Sequence, residues 1–518
     1  MLDNKLVENI RENKSELDKV GQLKSLAQLE AYYKTFRLHF GPEQLSNLDG
    51  EDLLNRMHSH GNHDSLVYWL EFKDDDELPA VFGSIAGGSA LKFGIYKRKE
   101  TGAWMTGSPA NQRELSIDEA VKIARRNRDQ LIKGAELLEA LPRNACDQEY
   151  ATLQLQMSQL APNVSDLAWG HKYFSLLYPE KLDDYHNPDF QRFHLIKLLQ
   201  TPPLTSSSAV GASTTGSRYV AAGRYVAIAA ELNLHLNQLT TILNKRNGRP
   251  HNYWYVVTNY AAVPGWENHW EPMRNGGYAG IGWAKLGDLS DIKLDSESKA
   301  RLHTLMKTHY GDTGGWAQES FNFVAGIEVG DIVLAIEHSK VLGIGRVTGL
   351  YSYDQTIPEM PHHRTVEWLS EKSWELPTAE IKNRVVREIR QATNLVEIER
   401  IILGAEPAPS PPVGIGGTKF PVPAFHVPTL NGIPGRIQSV LDRKGQCILY
   451  GPPGTGKTYW ALLTARDLAA YKTFGCKYIQ LTDSQKTVIL GNSGGELGLV
   501  RVCSFHPAYG YEDFLEGY

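Results

Sequence analysis

Cysteine is scarce in this chain: Cys146, Cys447, Cys476 and Cys503 are the only four in 518 residues, and no two stand in CxxC spacing. That scatter argues against a disulfide framework or a zinc ribbon as the basis of the fold, and it fits a reducing, cytoplasmic setting. Long hydrophobic runs are also missing. The most apolar helical pattern, Tyr219 to Leu239, is broken by Arg224 and Glu231, so it is no membrane span. The start, Met1-Leu2-Asp3-Asn4-Lys5, is mixed in charge and shows no apolar leader core. The expectation is a protein without a membrane partner. Nor is there an excess of positive charge: 54 Lys+Arg against 59 Asp+Glu give a net charge of −5. A uniformly basic nucleic-acid binder is thereby disfavoured, while a local basic face stays open. The length exceeds what one core can organise and predicts about three or four domains.

Residues 1–204 read as an α+β module. Helical patterns run to about Met57, and Leu66-Val67-Tyr68-Trp69-Leu70-Glu71-Phe72 then reads as a strand. Further strands are expected at Ala80 to Gly83 and Leu91 to Tyr96, on either side of the Gly87-Gly88-Ser89 turn. Ser116 and Glu119 have capping-box spacing and start a helix whose apolar face carries Ala120, Ile123, Ala124, Leu131 and Leu138 up to Pro142. His58, His60, His63 and Asp64 have ligand-like density for a transition metal, but they stand in a Ser/Gly/Asn turn, for which a solvated loop is the plainer reading. Glu71-Phe72-Lys73 matches the ExK half of a metal-dependent nuclease, without a partner aspartate on an evident preceding strand; an exposed strand end is favoured. The segment Trp169 to Tyr178, continuing to His194, is rich in aromatic and basic side chains and suits either base stacking or a helical core. In residues 205–250 a small polar connector, Thr205 to Ser217, precedes helices over Tyr219 to Asn247. Their helix-turn-helix look around Ala229 to Leu234 is better explained by ordinary packing.

Residues 251–402 carry strand signals: Tyr253 to Asn259, Tyr278 to Trp283, Leu286 to Leu289, then a helix over Ser296 to Tyr310. Gly330 to Ile336 and Val341 to Val347 flank a polar turn and predict a hairpin, and Arg364 to Trp368 closes the set. Short turns and Gly-rich corners suggest a small curled sheet or barrel. The Gly-Asp-Ile-Val, Gly-Ile-Gly-Arg-Val and Val-Glu-Trp strands resemble the EVE domain of the PUA-like superfamily, a relative of YTH domains. The resemblance implies a β-barrel with helices and a pocket that receives one extruded, modified base. Trp266, Trp270, Trp283, Trp316 and Trp368 are candidate walls, each equally suited to a core role. Trp283 and Trp316 are preferred because glycines flank both. Asp288 and Asn322 have the chemistry to read a base edge or to cap a turn. Arg274, Lys285, Arg346 and Arg364 are candidate phosphate contacts, or plain surface charges.

Residues 403–432 are rich in Pro and Gly and read as a semi-rigid tether. In residues 433–518 an apolar run, Cys447-Ile448-Leu449-Tyr450, reads as a buried strand. It leads into Gly451-Pro452-Pro453-Gly454-Thr455-Gly456-Lys457-Thr458, and a helical pattern follows from Tyr459. This is the context of a phosphate-binding loop: glycines turn backbone N–H groups onto phosphates, Lys457 reaches the β- and γ-phosphates, and the Thr458 hydroxyl holds Mg²⁺. With Arg501 to Gly517, which contains Phe505-His506-Pro507-Ala508-Tyr509-Gly510-Tyr511-Glu512-Asp513-Phe514, the region resembles AAA+ motors of the McrB-like branch, related to dynein. The resemblance implies ATP or GTP as cofactor with Mg²⁺, a homo-oligomeric ring, DNA with modified bases as target and a McrC-like nuclease as partner. No acidic Walker B strand or arginine finger follows before Tyr518, so an incomplete α/β P-loop domain is expected, the front of a longer protein. The alternative is a nucleic-acid-binding or adaptor protein whose AAA ATPase serves remodelling or has decayed.

Overall fold

Apolar residues at helical spacing, opened by strong caps, make most of the first 250 residues helical in the computed structural model. The structure describes residues 2–73, 82–85, 90–99, 101–107, 111–203, 217–258, 268–311, 315–357, 359–380, 384–406, 430–444, 446–450, 456–474, 476–481, 483–490 and 499–500. The chain forms two units, Met1–Pro412 and Val413–Tyr518.

In the first unit, the Ser25 side chain caps the helix Leu26–Phe40, which buries Leu29, Tyr33, Phe36 and Phe40 on one face. The expected capping box at Ser116 forms: its hydroxyl accepts the Glu119 N–H at 3.2 Å, and the Glu119 carboxylate accepts the Ser116 N–H at 2.9 Å. The helix it starts, Ile117–Ala140, packs Ala120, Ala124, Leu131 and Leu138 inward. Gly134 sits where a Cβ would come within 2.3 Å of the Phe174 ring, so only glycine lets the helix Ala168–Leu177 lie this close. Every side chain from Trp169 to Leu177 is buried. The aromatic segment is therefore core rather than a base-stacking surface. Helices Arg218–Leu232 and Leu236–Asn247 turn at Asn233, which adopts a left-handed φ of 53°, and share cores with helices before residue 204.

Two strand expectations fail here. Leu66–Tyr68 is helical and continues as a π-helical turn, Trp69–Lys73; Ser65 caps it, accepting the Tyr68 N–H at 3.2 Å. Leu66, Val67, Trp69 and Leu70 are all buried, and a run apolar on every side satisfies a buried helix as well as a strand. Ala90–Phe93 is a 3₁₀ turn, leaving only Ile95–Lys97 (β1) as a strand; it pairs with Trp104–Thr106 (β2), and β2 pairs with Arg113–Leu115 (β3). Ala80 and Val81 lie outside the described residues.

The helical part is threaded by buried polar groups. His186 Nε2 donates to the Phe82 carbonyl at 2.7 Å, which leaves its Nδ1 to accept from His171 Nδ1 at 3.0 Å. Arg218 donates to the His186 carbonyl at 2.7 Å, and Lys172 to that of Leu70 at 2.8 Å. Asp183 accepts from Gln191 and the Tyr185 N–H; Asp184 accepts from Asn237 and Thr240. Burial pushes the Asp183 carboxyl up to about 7 and that of Asp184 to about 6, while it lowers His58 and His186 to about 3.

From residue 253 the chain builds a seven-stranded sheet: Tyr253–Val257 (β4), Tyr278–Ile281 (β5), Ile332–Glu337 (β6), Lys340–Tyr353 (β7), His362–Ser370 (β8), Trp374–Glu375 (β9) and Val386–Glu388 (β10). The order is β10-β4-β6-β7-β8-β5, with β9 on β7; β4 and β6 are parallel and the other pairs antiparallel. The expected hairpin is β6–β7, turning at His338 with a φ of 57°. The expected barrel is not closed among the described residues: β10 and β5 end the path, each hydrogen-bonded on one side only. No strand forms at Leu286 to Leu289: Leu286 ends a 3₁₀ turn, Ala284–Leu286, and the next three residues are irregular.

Strand alternation sorts the two faces. Tyr253, Tyr255, Ile332, Leu334 and Ile336 meet Ile398 and Ile401 of the helix Ala392–Ile402, together with Ile196. Trp254, Val256, Val333, Val347 and Val366 face Leu302, Met306, Phe321 and Phe323. The helix Pro188–Lys197 is tied to the first of these faces. Lys197 Nζ and the Tyr253 hydroxyl both reach Glu399 Oε1 at 2.7 Å, with the Lys197 and Glu399 side chains buried.

The second unit contains helices Gly432–Lys444, Lys457–Phe474 and Asp483–Leu490, and a small core of Ala470, Leu481 and Ile489 joins the last two. Cys447 to Tyr450 do not form the expected strand. Ile448 is 92% and Tyr450 99% exposed, and among the described residues of this unit no strand pairs their backbone groups.

A carboxyl whose folded pKa is raised contributes stability below its unfolded pKa, and that contribution is lost as pH rises to the folded value. In denaturant unfolding from pH 4 to 8, the difference in stability between the wild type and Asp183→Asn therefore falls by up to about 4 kcal/mol between pH 4 and 7 and is flat above. A difference that rises with pH refutes the burial argument. Lys197→Met strands a buried carboxylate and costs about 3–5 kcal/mol, and adding Glu399→Leu restores most of that loss; a double-mutant cycle on unfolding measures both.

Candidate functional site

The candidate nucleotide loop is described from its last glycine. Gly451, Pro452, Pro453, Gly454 and Thr455 lie outside the described residues. Gly456 has a φ of 73°, and its carbonyl accepts the Trp460 N–H at 2.9 Å. The helix Lys457–Phe474 thus starts immediately after a left-handed glycine. A helix start leaves its first N–H groups without intrahelical acceptors and concentrates the positive end of the helix dipole, which is what an anion takes up. Lys457 is half-buried and Thr458 exposed at that end.

The four residues expected around a base lie in two places. Trp283 follows β5 with a φ of 65°, a strained conformation for a bulky residue, and its side chain lies at the margin of the sheet core. His362 Nε2 lies 3.3 Å from the Trp283 carbonyl, and His362 Nδ1 lies 2.7 Å from the Tyr351 hydroxyl, which in turn accepts the Leu289 N–H at 3.2 Å. Burial lowers His362 to about 4, so its ring is neutral and can donate through one nitrogen while accepting at the other. This chain of contacts holds the 283–290 loop against β7 and β8. Asp288 is on the same loop and caps its turn, accepting from the Ser290 N–H at 2.9 Å and the Ser290 hydroxyl at 2.6 Å.

Asn322 stands elsewhere, in the π-helical turn Asn322–Gly326, where Gln318 donates to its Oδ1 at 2.7 Å. Trp316 is on the short helix Gly315–Phe321 and is 38% exposed. Among the candidate phosphate contacts, Arg364 is buried, donating to the carbonyls of Phe323 at 3.1 Å and Val324 at 2.5 Å, so it is committed to the fold. Arg274 pairs with Glu271 and Glu371. Arg346 and Lys285 are exposed. Trp368 meets Trp270 edge to face, at 4.8 Å between ring centroids. Trp266 lies outside the described residues.

The motifs of the amino-terminal region resolve as structural. His58 is buried against Trp169, His63 stacks on Tyr68 at 4.3 Å, and His60 pairs with Glu71 at 3.1 Å. Burial alone would raise the Glu71 carboxyl, but hydrogen bonds from His60 and Lys92 hold it below its ordinary value. The ExK carboxylate is thus consumed by internal partners, on a helix rather than a strand end. No group of three or more metal-ligating side chains occurs among the described residues.

Of three cavities in the first unit, none is lined by Trp283, Trp316, Asp288 or Asn322. One of about 520 Å³ lies between the helix Pro188–Lys197 and the sheet, walled by Phe193, His251 and Tyr253 with Arg192 at its mouth. His251 stands between the other two rings, 4.9 Å from Phe193 and 5.2 Å from Tyr253, and its Nε2 is buried without a partner. Sequence reasoning missed this place because its walls come from separate segments. The only local signal is the aromatic density on each side of the connector.

Backbone strain at Trp283 is open to test. Glycine adopts a φ of 65° freely, so Trp283→Gly is expected to be about 1 kcal/mol more stable than Trp283→Ala in chemical denaturation, although both lose the ring. Equal stability of the two would mean the loop relaxes out of the left-handed region.

Residues 258–393 match the profile of a family described as a domain of unknown function, DUF8426, which covers most of the sheet. No curated protein and no solved structure matches the chain.

Proposed function

We propose that this chain is the nucleotide-binding motor subunit of a McrBC-like, modification-dependent restriction system. It binds ATP or GTP with Mg²⁺ through Gly451 to Thr458, reads modified cytosine in DNA through the 251–402 region, assembles as a homo-oligomeric ring and drives a McrC-like nuclease. The observation that carries this reading is the Gly456–Lys457 junction. The final glycine of the motif is left-handed, and a helix begins at the lysine, as phosphate binding on backbone N–H groups requires. The AAA+ segment from Arg501 to Gly517, outside the described residues, supports the same reading through its sequence.

For the DNA-reading part, the support is the aromatic character of the sheet region. Extruding a base costs a few kcal/mol and stacking returns about 1–3 kcal/mol per base, so hydrogen bonds to the base edge decide which base is held. Trp283, Trp316, Asp288 and Asn322 remain the proposed contacts. The ring-walled cavity at His251 is a second place with the dimensions of a base, favoured by the unpartnered His251 nitrogen.

Titration of fluorescent GTP and ATP analogues with Mg²⁺ is expected to give saturable binding that Lys457→Ala weakens at least about tenfold, the loss of a charge-assisted phosphate contact. Duplexes with 5-substituted cytosine are expected to bind more tightly than unmodified ones, a preference lost in Trp283→Ala or, if the base enters the cavity at His251, in His251→Ala. Nucleotide binding with indifference to modification would leave the adaptor reading instead.

A further inference from the structure

A second cavity in the first unit lies apart from the candidate site residues. It is a groove of about 810 Å³ between the helices Leu26–Phe40 and Arg218–Leu232. Glu30, Tyr33, Lys34 and Arg37 recur at helical spacing along one side of the first helix, and all four line it. Arg143, Asn144, Glu180 and His235 complete its polar lining.

Its floor contains an unmet hydrogen bond. Tyr33 is only 6% exposed, its ring wedged against Phe82 at 5.1 Å and His235 at 5.9 Å, and its hydroxyl is buried without a partner. A buried donor left unmet is destabilising unless something enters the groove to meet it. Burial, reinforced by the charges of Asp184 and Glu180, keeps the phenol protonated and therefore able to donate. His235 accepts the Asn237 N–H at Nδ1, 3.2 Å away, so its neutral ring carries the proton on Nε2 and is a second donor.

The rim is also short of acceptors. Among the described residues the side chains of Lys34 and Arg143 have no ion pair or hydrogen bond. Arg37 donates to the Leu177 carbonyl and lies over the Tyr178 ring, with no carboxylate in salt-bridge range. Two arginines, a lysine, a phenol and an imidazole N–H thus face the groove against the two carboxylates of Glu30 and Glu180. Planar guanidinium groups suit phosphate oxygens, and the carboxylates suit hydroxyl or amino donors. Leu26, Val226 and Leu234 supply apolar wall between them. The volume falls in the range of small-molecule sites and far exceeds a bare ion.

We propose that this groove binds an organic phosphate of nucleotide size, with its phosphate on Lys34, Arg37 and Arg143, an acceptor on the Tyr33 hydroxyl and its hydroxyl-bearing part toward Glu30 and Glu180. The phosphate belongs either to a free nucleotide or to the end of a nucleic-acid strand. The site does not depend on the reading of residues 451–458, and its test removes their contribution.

The experiment uses the full chain carrying Lys457→Ala, titrated calorimetrically with inorganic phosphate, ribose 5-phosphate, GMP and a short oligonucleotide with and without a 5′-phosphate. Saturable binding of at least one organic phosphate, about tenfold or more tighter than inorganic phosphate, is expected. Tyr33→Phe, which deletes one hydroxyl, weakens it about five- to tenfold with an unchanged melting temperature, and Arg143→Gln on the exposed rim weakens it similarly. Tighter binding of the 5′-phosphorylated oligonucleotide than of GMP identifies the strand end as the source, and the reverse order identifies the free nucleotide. Three results overturn the proposal: no saturation with any probe up to about 10 mM, affinity indifferent to both substitutions, or inorganic phosphate binding as well as the organic phosphates.

Discussion

A lysine ammonium and a glutamate carboxylate, both withdrawn from water, join the helical part of the first unit to its sheet. Lys197 comes from the helix Pro188–Lys197 and Glu399 from the helix Ala392–Ile402, and the Tyr253 hydroxyl on β4 shares the same carboxylate oxygen. Desolvating two charges offsets much of their mutual attraction, so such a pair adds little net stability over an apolar substitute. What it does impose is geometry. Each charge is tolerable only when the other is in place, so the two helices and the strand have one acceptable arrangement. The ring-walled cavity at His251 lies along this seam, and its shape depends on that registration.

The same economy of polar groups runs through the helical part. His171, His186, Arg218 and Asp183 occupy positions where hydrocarbon would pack more cheaply, and each makes at least one buried hydrogen bond to another segment. A buried group of this kind penalises every arrangement that leaves it unpaired, and so selects one fold among compact alternatives. Tyr33 and His251 each keep a buried polar atom unmet and each borders a cavity; other unmet atoms, such as the nitrogens of His58 beside Trp169, line none of the three cavities.

Where local chemistry suffices, the sequence was legible. The Ser116 capping box, the helix over Ser296 to Tyr310, the β6–β7 hairpin and the helix after Gly456 all depend on residues within a few positions of one another. Leu66 to Phe72 was misread because uninterrupted apolar character carries no periodicity, and only the neighbours Phe36, Phe40 and Trp169 make that stretch a buried helix. Cys447 to Tyr450 shows the complementary failure: a strand needs a partner, and strand propensity alone does not supply one. Arg364, whose sequence context resembles a surface cation, is buried because the carbonyls of Phe323 and Val324 come within reach only after the sheet and the π-helical turn have packed.

By itself, then, the chain's covalent order determined the helix caps, the hairpin turn, the alternation that gives each strand two apolar faces, and the glycine and lysine that begin the last long helix, since all of these act over a few residues. The tertiary structure alone decided that the sheet stays open among the described residues, that the histidine-rich turn serves packing, that Trp283 and Asp288 share a loop while Asn322 does not, and that the cavities lie at His251 and Tyr33. Those outcomes depend on contacts between segments tens to hundreds of residues apart, whose partners no local pattern names.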